Sequence, residues 1–324
     1  MDVLKDHTAG DPQLGTRWTN LTRKEIADLI SKRGVLVSRS LVRKLLKRNG
    51  YVRRKALKRK SFKSHPDRDA QFRHIDSLRA EFTAAGRPVI SLDTKKKELL
   101  GNLYRDGKLY TQETIETLDH DFPSYAVGKV VPHGIYDINA NQAHVNIGTS
   151  ADTSEFACNS LIFWWNNYGK LAHPGAKKIL ILCDGGGSNA SNSNLFKTDL
   201  QAFVNATGLQ VTIAHYPPYC SKYNPIEHRV FPHITRACQG VVFTSVNVVK
   251  ELIAKASTTT GLNVTVAVLE KVYETGRKVT DIALAGLNMT KGSVFPKWNY
   301  RIAGINRQRE GDESALHRRS SDPR

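Results

Sequence analysis

At 324 residues, with 40% hydrophobic content and no apolar run near the roughly 20 residues that cross a bilayer, the chain is sized for two domains or one large one and excludes a membrane span. Cys158, Cys183, Cys220 and Cys238 are scattered and form no CxxC pair, and the start MDVLKDHTAG has no secretory h-region; a disulfide framework is excluded, and a soluble, cytoplasmic protein is expected. The net charge of +18 is concentrated in residues 17–60, where sixteen Lys or Arg face only Glu25 and Asp28; the phosphates of a nucleic acid are the commonest partner for such a density, a solvated basic face being the alternative.

Residues 1–16 read as an N-terminal arm. In TRKEIADLISKRG, Thr22 caps a helix and Glu25, three residues later, completes a capping box; Ile26, Leu29 and Ile30 share one face, and Gly34 supplies a left-handed stop. SRSLVRKLLKRNG repeats the pattern, with a serine start, Leu41, Val42, Leu45 and Leu46 on one face, and Asn49-Gly50 as the stop. Two short helices with a tight connection read as a helix-turn-helix. The second carries Arg39, Arg43, Lys44, Lys47 and Arg48 around its apolar stripe, as a helix lying in a major groove requires. A helical hairpin with a basic exterior is the bland alternative. VRRKALKRKSFK, beginning with Arg53 and Arg54 after Val52, continues to residue 64 as a phosphate-contacting linker.

A third helix is expected after SHPD, with Ser64 as cap and Pro66 in the first turn; Phe72, Ile75, Leu78 and Phe82 recur at helical spacing and point to packing on the next domain. From Arg87 the period becomes strand-like. PVISLD is a short apolar run ending in Asp93; GIYDI and AHVNIG form a hairpin through NANQ. TSEFACNSLIFWWNNYG suits a helix with Phe156, Leu161, Trp164, Trp165 and Tyr168 on a broad buried face. KKILILCD is a buried strand ending in Asp184, SNLFKTDLQAFVNAT a helix, and LQVTIAH another strand. YNPIEHRVFPHITRA is helical from about Asn224, kinked or broken at Pro232. The order predicts an α/β fold with a sheet of mixed direction over residues 65–302, preceded by the all-α helix-turn-helix segment.

Three carboxylates stand out by position. Asp93 and Asp184 end strands, where functional groups gather in α/β sheets, and Glu227 opens the helix after the last strand. Held together, they would repel one another unless a divalent cation sat between them, so they make a candidate magnesium site.

The blocks HPDRDAQF, PVISLDTKKKE, GKVVPHGIYD, CDGGGSN, YCSKYNPIEHR, GLNV and WNY closely resemble the Rhodopirellula-type DDE transposase family of bacterial insertion sequences, and the element order resembles the ribonuclease H-like fold of DDE transposases and retroviral integrases. The resemblance runs from about Asp11 to Ile302. It implies that Asp93, Asp184 and Glu227 form the metal-binding catalytic triad, holding two Mg2+ or Mn2+ ions about 4 Å apart for phosphodiester cleavage and strand transfer. It also implies double-stranded DNA as partner, as element terminal repeats and as target, with a homo-oligomer during synapsis and a bacterial, nucleoid-associated location when DNA is bound. Family members are often longer at the N-terminus, with a further helix-turn-helix, against which this chain reads as shortened. The tail from residue 303 to 324 lacks apolar periodicity and is expected to be disordered.

Neighbouring residues carry two readings each. Lys95, Lys96 and Lys97 contact phosphates flanking the scissile bond or form a solvated turn, with Glu98 as their exposed partner. Gly185, Gly186 and Gly187 let DNA approach Asp184, with Ser188 and Asn189 as phosphate donors, or make a plain turn. His228 and Arg229 contact DNA or pack at the surface. Asp137, on the second strand, is weighed as a spare ligand against a plain strand residue, and His215, Cys220, His228, His233 and Cys238 are weighed as a zinc set, against which their spacing argues. A DNA-binding remnant or repressor without catalysis, and a junction-resolving nuclease, are the alternative functions.

Overall fold

The helix signals of the basic region take shape in the computed structural model, which describes residues 2–11, 16–54 and 65–305. Linker residues 55–64, Ser64 among them, and the tail from residue 306 onward lie outside the described residues. The chain falls into two compact units, residues 1–60 and 61–324.

In the first unit a 3-10 turn (Asp2–His7) and a short antiparallel hairpin, β1 (Ala9–Asp11) and β2 (Thr16–Trp18), precede α1 (Arg23–Ser31) and α2 (Arg39–Arg48). The capping box is closed: Glu25 N donates to Thr22 Oγ1 at 3.2 Å and Thr22 N to Glu25 Oε2 at 2.5 Å. Ser38 caps α2 by accepting from Leu41 N at 3.1 Å. Between the helices the chain passes through Gly34 at φ +85°, a region where a Cβ is strained. Leu4 packs with Ile26, Ala27 and Val42 in a small core. The apolar face expected on α2 is half realised. Val42 is 1% exposed, but Leu41 and Leu45 remain 43% and 39% exposed, because α1 meets α2 along the single row of Val42 and Leu46 and leaves the adjoining row uncovered.

In the second unit α3 (Arg68–Ala84) begins past Pro66, with Asp67 in the cap position; Ile75 and Phe82 are buried, and Phe72 and Leu78 pack against the same core. The sheet comprises β3 (Val89–Thr94), β4 (Glu98–Leu100), β5 (Gly128–Asp137), β6 (Gln142–Gly148), β7 (Lys178–Cys183), β8 (Gln210–His215), β9 (Asn263–Val268), β10 (Met289–Lys291) and β11 (Asn299–Ile302). Its order is β10-β11-β8-β7-β3-β5-β6-β9, with β4 on β5. At the centre β3, β7 and β8 run parallel, while β5 is antiparallel to both β3 and β6. Taking β3, β5, β6, β7 and β8 as first to fifth, the spatial order is third, second, first, fourth, fifth with only the second reversed, which is the ribonuclease H-like arrangement.

Helices cover both faces. α4 (Ser154–Trp164) runs through a π-helical turn (Trp165–Gly169) into α5 (Lys170–Ala172), and with α6 (Asn194–Thr207) it packs on one side. On the other lie α3, α7 (Pro225–Arg229), α8 (Phe231–Ala237) and α9 (Val246–Ala254); α10 (Asp281–Ala285) packs against α6. β7 serves both cores, turning Ile179, Ile181 and Cys183 to one side and Leu180 and Leu182 to the other, as a central parallel strand must. Trp164 and Trp165 are buried, but Tyr168 is 37% exposed: the wider π turn rotates it off the core face, and its ring tilts against His144 at 4.7 Å. The long helix expected around Pro232 is two, α7 and α8, broken at Val230 (φ −121°, ψ −59°) so that the proline sits in the first turn of α8.

Candidate active site

Leu92 pairs with Cys183 across the parallel β3–β7 ladder, so Asp93 and Asp184 leave the carboxyl ends of adjacent strands in one register. Glu227 is brought to them by a buried polar clasp. Asn224, fully buried, donates from Nδ2 to the Leu92 carbonyl at 3.0 Å, with Asp93 Oδ2 at 3.5 Å. Ser91 Oγ donates to Asn224 Oδ1 at 2.5 Å and accepts from Ile226 N at 3.0 Å. The clasp ties the first turn of α7 to β3 and brings Glu227 close enough for its charge to oppose ionisation of Asp93. Gly134 lies opposite Asp93 in the β3–β5 register, where a Cβ would stand 2.6 Å from Ile226 Cδ1 and 2.9 Å from Phe231 Cε1. Only glycine lets α7 and α8 settle this low on the sheet.

Asp184 is held through its backbone. Its carbonyl accepts from His215 Nδ1 at 2.9 Å, so Nε2 is the acceptor for the Tyr300 hydroxyl at 3.1 Å. Burial keeps this imidazole neutral, its pKa pushed down to about 4. Asp184 Oδ1 is buried without a hydrogen-bond partner. A fourth carboxylate, Asp152, stands just before α4, accepting from Thr94 Oγ1 at 3.2 Å and close enough to oppose ionisation of Asp184. Sequence reasoning missed Asp152, Asn224 and Ser91. Asp152 sits in a short loop without periodic signal, and the two polar residues become significant only once buried.

The electrostatics follow from crowding. Asp93 is pushed up to about 8, first by burial and then by the charges of Asp184 and Glu227. Asp184 is also raised, chiefly by burial, against the opposing hydrogen bond from the Gly186 amide. Among the described residues no three His, Cys, Asp or Glu side chains stand in ion-gripping geometry. Asp93, Asp184 and Glu227 instead crowd one another closely enough for the other two charges to oppose ionisation of Asp93. The donor set still fits a hard divalent cation: the groups are carboxylates, Asp184 Oδ1 lacks a partner, and their mutual repulsion is what a cation relieves.

The other predicted residues divide. Arg39, Arg43, Lys44, Lys47, Arg48, Arg53 and Arg54 are all exposed in the first unit. In the second, Lys96, Lys97, His228 and Arg229 are exposed. Lys95 is engaged, its Nζ 2.6 Å from Glu98 Oε1, while Arg105 Nη1 binds Glu98 Oε2 at 2.9 Å. Glu98 is therefore a largely buried bridge between two cations and not an exposed partner. Ser188 is half-buried, but Asn189 is only 2% exposed, so the turn directs it inward and away from the role of surface phosphate donor. Asp137 is excluded as a spare ligand. It pairs with Ile90, at the opposite end of β3 from Asp93, and binds His173 Nε2 at 2.5 Å. The residues weighed for zinc do not gather among the described residues, and His215 is committed to Asp184 and Tyr300.

A sheet in this order, with acidic residues at adjacent strand ends, defines a ribonuclease H-like protein of the DDE class. The profile of the Rhodopirellula transposase DDE domain matches residues 1–304, and the chain belongs to that transposase family. No curated protein matches it. Similar solved structures include the Mos1 transposase paired-end complex with left transposon end, at 14% identity and TM-score 0.44, covering 71% of this chain and 65% of that one. A pre-cleavage Mos1 transpososome is similar at 12% identity and TM-score 0.44, with the same coverages. The chain thus spans about 65% of the length of the Mos1 chains it matches.

Proposed function

We propose that this chain is the transposase of an insertion sequence, binding the ends of its element and cutting and joining DNA at Asp93, Asp184 and Glu227. The observation that carries the reading is the convergence of these carboxylates: two at adjacent strand ends, the third clasped to the same strand through Asn224. Asp93 and Asp184 would be the primary ligands of Mg2+ or Mn2+, Glu227 the ligand of a second ion. Such a pair of ions, when bound, activates the attacking oxygen and stabilises the leaving oxygen of a phosphodiester. Asp93, which burial first and then the charges of Asp184 and Glu227 keep protonated, would give up its proton on binding a cation, which offsets both effects. The Asn224 clasp and the His215–Asp184 bond hold the acids in place without solvent reorganisation.

Water is the first nucleophile, releasing a 3′-hydroxyl at the element end, and that hydroxyl attacks target DNA in the second step. Arg39, Arg43, Lys44, Lys47 and Arg48 of α2 read or grip the terminal repeat, Arg53 and Arg54 continue along its backbone, and Lys96, Lys97, Ser188 and Arg229 serve phosphates near the scissile bond. Bringing two ends together calls for a homo-oligomer, working at the bacterial nucleoid.

The test is Mg2+- or Mn2+-dependent cleavage of labelled DNA carrying the element's terminal repeats. Metal-dependent cleavage by the wild type, lost in Asp184→Asn while DNA binding survives, supports the reading. Tight, salt-sensitive binding by both proteins with cleavage by neither overturns the catalytic part and leaves a DNA-binding remnant.

A further inference from the structure

The loop joining β8 to α7, residues 216–224, is pinned along its length. Tyr216 N donates to the Cys183 carbonyl at 2.9 Å, next to Asp184, and at the far end Asn224 is clasped to β3 beside Asp93. Between these anchors Tyr216, Pro217 and Cys220 are buried. Tyr223 is held by Arg68 of α3, whose Nη2 lies 3.3 Å from the tyrosine hydroxyl and whose guanidinium covers both the Tyr223 ring (5.5 Å) and the Phe72 ring (5.4 Å). Pro217 and Pro218 remove further freedom.

One side chain departs from this pattern. Tyr219 is 63% exposed and has φ +63°, a left-handed conformation that glycine adopts freely and a tyrosine does not. A turn under no further demand would be relaxed by glycine or asparagine at this position. The fold instead fixes a large aromatic ring, on a rigid loop, between the strand end that bears Asp184 and the helix that bears Glu227. Local strain of this kind is characteristic of ligand-holding positions. The ring makes no stacking or cation contact among the described residues, whereas Tyr223 is already covered by Arg68 and by Lys222 Nζ at 5.2 Å. Lys222, exposed on the same loop, adds positive charge to it.

We infer that Tyr219 is a stacking platform for an unpaired DNA base beside the carboxylate site, with Lys222 on the adjoining phosphate. The chemistry selects a nucleic acid because a free aromatic face with an exposed lysine on the same loop matches a base and its backbone and suits no small anion. An unpaired base is specified because within a duplex both faces of each internal base are occupied by its neighbours. The inference rests on the transposase reading above and adds to it a grip on the frayed or nicked end.

The test compares binding of a blunt duplex with that of the same duplex carrying a short 3′ thymidine overhang, by fluorescence anisotropy without divalent metal. The ratio of the two affinities is the readout. The wild type favours the overhang; Tyr219→Ala lowers that preference by about five- to 160-fold, the range for loss of one base–aromatic stack. Tyr219→Phe retains it. Tyr219→Gly loses the preference while melting at or above the wild-type temperature, which separates stacking from folding. With 5-iodouracil in the overhang, photo-cross-linking falls on the peptide containing residues 216–224. An unchanged ratio in Tyr219→Ala, or a cross-link elsewhere, overturns the inference. The catalytic reading fails separately, through cleavage that is absent or indifferent to Asp184→Asn; a protein that binds neither duplex sinks both.

Discussion

In the metal-free protein Asp93 retains its proton up to about pH 8, because burial and the Asp184 and Glu227 charges all oppose ionisation. The unfolded chain releases that proton near the ordinary carboxylate range, so between about pH 4 and 8 the folded state holds more protons, and stability falls as pH rises. Melting in a chelator is therefore expected to drop from pH 5 to pH 8, by at most about 1.4 kcal/mol per pH unit for this group. Asp93→Asn flattens the slope, and added Mg2+ reverses it; a chelated melt that rises over this range would contradict the crowding described. Asn224→Ala removes the clasp at once, leaving the Ser91 hydroxyl and the Leu92 carbonyl without their partner. It is expected to cost about 1–3 kcal/mol in denaturant unfolding and to lower cleavage further than the stability loss explains. At this scale the sequence singled out the three acids by position, since Asp93 and Asp184 close apolar runs and Glu227 opens a helix. It was silent about Asn224, whose chemistry depends on being buried beside Asp93.

The elements that carry the acids meet where Gly134 leaves room for α7 and α8. Gly134→Ala forces a Cβ against Ile226 and Phe231, so it is expected to cost about 1–3 kcal/mol and to weaken metal-dependent cleavage by displacing Glu227; a variant with wild-type melting and turnover would refute this. In the first unit Ser38→Ala removes the cap of α2 and is expected to cost about 1 kcal/mol, read by thermal melting. The elements legible in the sequence were those with redundant signals: capping residues and a stop for α1 and α2, an uninterrupted apolar run for β7, and apolar-rich runs for β3 and β8. β4, β10 and β11 are three or four residues long, too short for a period to emerge. Leu41 and Leu45 show the converse limit, because periodicity reports which residues share a face and not whether a partner covers it.

Across the whole molecule charge and acid are segregated: the basic excess belongs to residues 17–60, while the carboxylate site is built in the second unit. Affinity for duplex DNA is accordingly expected to fall steeply with salt, and Arg43→Ala to reduce the slope of log K against log salt by about 0.9 if that side chain meets a phosphate. A slope identical to wild type would remove Arg43 from the interface. The sheet order carries a different consequence, for how the chain is made. β3, β7 and α7 are complete once Arg229 has been synthesised, yet β6 still lacks β9 and β8 still lacks β11, both supplied from later in the chain. A nascent chain at that stage holds its three acids in sequence while two strand edges present unpaired amides and carbonyls to any neighbour. Closing pairings so distant in sequence is slow, so refolding is expected over milliseconds to seconds, and chains ending before β9 are expected to aggregate. The last strands of this protein are thus the guards of its solubility during birth.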